Sequence, residues 1–137
     1  MPADLMPTAT VRKLSPVLVV DAVEPCLSFW TERLGFAVTA QVPHEDHLGF
    51  AILERDGVEV MYQTRASLAA DIPGLGDVGG PTVLFVEVSD VAAVERSLEG
   101  AEIVLPRRTT FYGMDEVGAR EPGGSVVIFA QKAAGGG

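Results

Sequence analysis

Apolar positions along the chain fall into two blocks that begin alike. Pro16–Val20 (PVLVV) and Thr82–Val88 (TVLFVEV) are β-branched, apolar runs of strand length. Each gives way to helical spacing. In the first block Leu27, Trp30 and Leu34 form the stripe, Pro25 sits in the opening turn where its missing N–H is harmless, and Gly35 supplies a left-handed stop. In the second, Ser89 or Asp90 can cap, Val91, Val94 and Leu98 form the stripe, and Gly100 ends it. Three strands are predicted after each helix. The first set is Phe36–Val42, Leu48–Leu53 and Val58–Gln63, with Asp56-Gly57 as a hairpin turn. The second is Ile103–Leu105, a strand around Phe111–Ala119, and Val126–Gln131 after the turn Pro122-Gly123-Gly124.

The order β-α-β-β-β therefore occurs twice, and an offset supports a repeat. Val23 and Val91 are 68 residues apart, as are the strands starting at Val58 and Val126. The helix stops Gly35 and Gly100 are only 65 apart, so the second helix is the shorter. The predicted fold class is α+β: one domain over 1–137, with a first module at about 12–65, a linker at 66–81 and a second module at about 82–132. Residues 1–10 carry no period, and Ala133–Gly137 reads as a flexible tail.

Composition narrows the function classes. With 137 residues, 47% apolar and 21% charged, the chain can bury a core without a disulfide or metal staple. Its single cysteine, Cys26, excludes an internal disulfide and a four-cysteine zinc site. The net charge of −9 lacks the basic surface by which nucleic-acid binders track phosphates. The opening MPADLMPTATVRK has no apolar segment of signal-peptide type, and the apolar runs are too short to span a bilayer. A cytoplasmic protein with neither nucleic-acid nor membrane partner is expected.

The segment Asp21–Trp30 (DAVEPCLSFW), then Leu34-Gly35-Phe36, then Phe85–Val91 (FVEVSDV), Tyr112-Gly113 and Glu121-Pro122-Gly123-Gly124 occur in an order that resembles the vicinal oxygen chelate superfamily. That is the group of glyoxalases, bleomycin-resistance proteins and ring-cleaving dioxygenases. The resemblance covers about residues 12–132 and implies two βαβββ modules forming a curled mixed sheet around a cleft, with helices on the convex side. It also implies metal ligands on the first and last strands of each module in the metal-dependent members. Those positions map to Ser15, Val60, Val83 and Ile128, three of which offer no lone pair. Shifting by one residue gives Pro16, Met61, Leu84 and Phe129, or Leu14, Glu59, Thr82 and Val127, and neither set is a metal centre. No cofactor and no metal site are therefore expected.

The period of two then assigns faces. With Ser15, Val60, Val83 and Ile128 turned into the cleft, Tyr62, Phe85 and Glu87 join them, while Leu18, Met61, Leu84 and Phe129 pack beneath the helices. The expected ligand-binding residues are Tyr62, Phe85, Glu87, Tyr112, Val60, Ile128, Arg120 and His47, and no catalytic residue is assigned. Tyr62 and Phe85 offer flat stacking surfaces, and Glu87 is a carboxylate inside an apolar strand. His44-Glu45-Asp46-His47 reads as a turn at one mouth of the cleft, with Tyr112, Asp115 and Glu116 in the equivalent place of the other half.

Three other features have plain structural readings. Gly74-Leu-Gly76-Asp-Val-Gly79 matches G-x-G-x-x-G but opens no helix, so it reads as linker. Cys26 reads as a small buried residue, and Arg107 and Arg108 as solvated. The resemblance implies a homodimer like the bleomycin-resistance proteins, which hold a drug-sized or metabolite ligand, cationic or aromatic, in an apolar cleft without a metal. The alternative is a metal-dependent lyase, isomerase or dioxygenase of the same superfamily.

Overall fold

Each apolar block folds into a four-stranded mixed sheet with its helix across one face, an α+β architecture. The computed structural model describes residues 9–134. Most of the aperiodic N-terminal stretch and the three glycines of the predicted tail lie outside those residues. The first module comprises β1 (Val17–Val20), α1 (Glu24–Ser28) continuing into a π-helical turn (Phe29–Arg33), β2 (Ala37–His44), β3 (His47–Arg55) and β4 (Val58–Thr64). After α2 (Arg65–Asp71) and the linker, the second module comprises β5 (Val83–Glu87), α3 (Val91–Ser97), β6 (Glu102–Thr109), β7 (Met114–Arg120) and β8 (Val126–Lys132). The sheets run β1-β4-β3-β2 and β5-β8-β7-β6, each with one parallel pair, β1 with β4 and β5 with β8. They form two separate sheets rather than one closed barrel.

Local chemistry accounts for most of the boundaries. Pro25 lies in the first turn of α1, and the Asp90 side chain accepts the Ala93 N–H to cap α3. Asp56 and Gly57 both take positive φ (53° and 80°), the turn that matches the twist of a two-residue hairpin. Two elements depart from the sequence reading. The predicted linker opens with α2, which Thr64 caps by accepting the Ser67 N–H. The strand expected around Phe111 starts only at Met114, because residues 111–113 form the turn of the β6–β7 hairpin.

Both sheets turn their helix-covered faces toward one core. Leu18, Leu53 and Tyr62 of the first module meet Val117, Val127 and Phe129 of the second around Phe29 and Trp30. Trp30 packs edge-on against Phe29 and Phe36, with ring centroids 5.5 and 5.1 Å away. The opposite face of each sheet, here called its open face, looks away from that core. The linker returns along β1: a Cβ on Gly79 would lie 2.5 Å from the Val19 Cβ, and its φ is +106°. Only glycine fits there, which is the role of the last residue of the G-x-G-x-x-G run.

The register corrects one face assignment. Val17 pairs with Met61 and Leu18 with Tyr62, so Val60 and Tyr62 lie on the helix-covered face and are buried in the core. Met61, expected beneath the helix, lies on the open face. In the second module Phe85 pairs with Ile128, so the separation between paired strands is 43 residues there against 44 in the first. One offset of 68 cannot hold at both ends of the repeat, and a single-residue slip turns a whole strand over.

Candidate functional site

On the open face of the second module, the strand pairings align side chains in rows across β6, β7, β8 and β5. One row is Glu102, Arg120, Val126 and Val83; the next is Leu105, Gly118, Ile128 and Phe85. The third is Arg108, Glu116, Ala130 and Glu87. The middle row is apolar, and Phe85 keeps 55% of its surface exposed. Gly118 lets its neighbours close over the strand: a Cβ there would meet the Leu105 Cβ at 3.0 Å and the Ile128 Cγ1 at 3.5 Å. The result is an apolar row flanked by Glu102 and Arg120 on one side and by Arg108, Glu116 and Glu87 on the other.

The third row holds a charged group that the sequence places near the mouth of the cleft without a partner. Glu116 is 1% exposed although it lies on the open face. Arg108 donates to Glu116 Oε1 from Nε (3.1 Å) and Nη2 (3.0 Å), and the Tyr112 hydroxyl donates to Oε2 at 2.8 Å. The hydrogen bond to Glu116, then burial, raises the Tyr112 pKa above its ordinary value. Phe111 stands fully exposed beside Tyr112, their rings edge-on at 5.1 Å. Arg108 is thus a braced side chain rather than a freely solvated one. Its sequence signal was faint: a carboxylate at a position that alternation places opposite the core.

The open face of the first module carries Val17 and Val19 on β1, Met61 and Gln63 on β4, and Ile52 and Phe50 on β3. Beyond them Ser15 donates to Glu59 Oε1 (2.7 Å) and Lys13 to Oε2 (2.9 Å). Those two hydrogen bonds, Lys13 first, hold the Glu59 carboxyl down at about 2. The observed pairings therefore put Ser15 and Glu59, then Val83 and Val126, at the positions where the family's metal-dependent members carry ligands. One carboxylate, with each oxygen engaged by a neighbour, beside two hydrocarbon side chains does not fit such a metal centre. Among the described residues no group of three His, Cys, Asp or Glu side chains converges.

Elsewhere the predicted residues are scattered. Arg120 lies in the first row and donates to Glu102 (2.8 Å) and to the Gly124 carbonyl (3.1 Å). Glu87 is an exposed strand-end residue in the Arg108 row, at the opposite edge of the sheet. His47 lies at the β2–β3 hairpin, where a hydrogen bond to Asp46 (3.1 Å) raises its pKa. Ile128 lies in the apolar row beside Phe85.

Tyr62 does other work. Its hydroxyl accepts from Trp30 Nε1 (2.8 Å) and donates to Glu121 Oε2 (3.0 Å), joining the first sheet to the β7–β8 turn. Glu121, 2% exposed, also accepts the N–H groups of Gly123 and Ser125, both at 2.6 Å. Burial, then the Glu121 charge, drives the Tyr62 phenol far above its usual range and the Cys26 thiol up to about 12. Cys26 is therefore a buried, unreactive thiol. Two cavities of about 730 and 490 Å³ also lie between the modules, the first walled by Phe29, Arg33 and Arg120 and the second by Trp30, Phe36 and Phe129. No helix among the described residues is long and apolar enough to cross a membrane.

The paired βαβββ modules and their open faces define a class of protein. A family model for the Glyoxalase/Bleomycin resistance protein/Dioxygenase superfamily matches residues 13–129, and the chain belongs to that superfamily. Its fold is similar to that of TioX from Micromonospora sp. ML1, with a TM-score of 0.72 at 20% identity over 89% of this chain and 99% of that one. It is also similar to a glyoxalase/bleomycin resistance protein/dioxygenase from Nocardioides (TM-score 0.70, 18% identity, covering 94% and 89%). A lactoylglutathione lyase from Agrobacterium tumefaciens gives a TM-score of 0.70 at 16% identity, covering 91% and 94%. No sequence among curated proteins gives a significant match.

Proposed function

We propose that this chain is a small-molecule-binding protein that holds a drug-sized or metabolite ligand with an aromatic body against its open faces, without a metal. The observation that carries this reading is the contrast at the family's key positions. The first- and last-strand sites supply one already engaged carboxylate, whereas the second open face offers an apolar row with Phe85 exposed for stacking. Val17, Val83, Phe85 and Phe111 are large apolar groups left in water, which favours a homodimer in which a second copy covers these faces and closes the cleft. A cytoplasmic location belongs to the same reading.

The test is a thermal-shift panel of anionic, neutral and cationic aromatic compounds, run beside samples supplied with zinc, nickel, manganese or iron. An aromatic ligand at a hundredfold excess over its Kd should add about 2.7 kcal/mol of stability, a shift of several degrees. The metals should leave the melt unchanged. Stoichiometric metal that raises the melting temperature would overturn the reading in favour of a metal-dependent lyase, isomerase or dioxygenase. Light scattering on the same protein should give the mass of two chains.

A further inference from the structure

We propose that Arg108, braced by Glu116 and Tyr112, recognises an oxyanion (carboxylate, phosphate or sulfonate) on an aromatic ligand whose body lies against the neighbouring apolar row of Leu105, Gly118, Ile128 and Phe85. This rests on the ligand-binding reading above and specifies the chemistry of the ligand's polar end. A carboxylate taken out of water is a costly way to stabilise a sheet, since apolar side chains of similar volume often do better. Here one stands on an open face next to an apolar row.

The division of labour within the pair fixes the sign of the ligand charge. Both Glu116 oxygens are engaged and almost without solvent contact, so the carboxylate is closed to a cationic ligand. Arg108 reaches it through Nε and Nη2, one side of the guanidinium, and its side chain remains 53% exposed. The end-on edge, Nη1 with the outer hydrogen of Nη2, has no partner among the described residues and matches the spacing of two oxygens on one acid group. Tyr112 donates its proton to Glu116 and is held beside Arg108 by that bond.

Distance supports the pairing of apolar row and anchor. Adjacent rows on one face are about 7 Å apart, two residues along a strand, which a two-ring aromatic carrying an acid group spans. Glu87, the other carboxylate of the row, is three strands away, at roughly 14 Å, and opposes the anion only weakly. The net charge of −9 is a property of the whole chain, whereas the anchor acts at contact.

A matched pair of fluorescent probes tests this. 8-Anilinonaphthalene-1-sulfonate and N-phenyl-1-naphthylamine share an aromatic body, and only the first carries an oxyanion. Titrated into the wild-type protein at fixed ionic strength, the sulfonate should bind about tenfold more tightly than the neutral amine. Arg108→Gln should abolish that preference and leave the affinity for the amine unchanged. Because Arg108→Gln strands a buried carboxylate, the double variant Arg108→Gln/Glu116→Gln is titrated as well and should lose the preference while keeping the wild-type melt. 1-Naphthoate or 1-naphthyl phosphate should displace the sulfonate from the wild-type protein. An unchanged preference in the double variant, failure of both naphthalene acids to compete, or tighter binding of the cationic dye auramine O would overturn the proposal while leaving ligand capture standing. Failure of every probe to bind would overturn both.

Discussion

Glu116 and Glu121 are equally buried glutamates five residues apart, and they differ in who donates to them. Glu121 takes two backbone N–H groups of its own turn and the hydroxyl of Tyr62, itself held by Trp30, so every donor is fixed within the protein. Glu116 takes the side chains of Arg108 and Tyr112, both of which reach solvent. The same carboxylate is a bolt in one place and a bracket in the other. Burial alone does not separate structure from recognition; the exposure of the partners does.

The most direct way to break the comparison is to remove the bolt. Glu121→Ala leaves three donors, two of them buried, without an acceptor and should destabilise the chain by about 3 kcal/mol, read as a fall in the urea midpoint. Gly79→Ala, which forces a Cβ onto Val19 at a positive φ, should cost about 2 kcal/mol by the same measurement, although it touches neither glutamate. Tyr62→Phe strands the Trp30 N–H and removes one of the Glu121 donors, for about 1 kcal/mol. None of these should alter the ratio of anionic to neutral probe affinity, whereas Glu116→Gln should lower that ratio. Equal effects of Glu116→Gln and Glu121→Gln on the ratio would erase the distinction.

The smallest effect concerns a half-buried carboxylate. The Glu59 value of about 2 lies below its ordinary 4.5, so its contribution to stability is complete above about pH 4.5 and is lost as pH falls toward 2. Glu59→Gln should therefore slightly lower the melting temperature at pH 7, and the difference from wild type should vanish near pH 2.

Local chemistry made the architecture legible in the chain. Pro25, Asp90 and the Asp56-Gly57 turn each state a boundary, and the doubled β-α-β-β-β order follows from apolar period alone. Helix α2 was hidden, because RASLAAD carries too little apolar stripe to stand apart from a linker. The face of β4 was hidden for another reason. Val58, Val60 and Tyr62 alternate with Glu59, Met61 and Gln63, and because Tyr62 suits a cleft as well as a core, apolar period did not expose the one-residue shift between modules. In the site, Phe85 and Ile128 were readable from alternation. The Arg108–Glu116 contact was not, because it depends on a β6 strand with two register shifts in its pairing with β7.

That extra residue between β1 and β4 also gives the duplicated halves distinct addresses. In the observed registers the counterpart of Tyr62 is Phe129, the same ring without the oxygen. Only a first module set against a second brings a phenol to Glu121; two copies of either half would lack the hydroxyl or the carboxylate. That single hydroxyl thus polarises a nearly symmetrical duplication, telling its left hand from its right whichever chain supplies each.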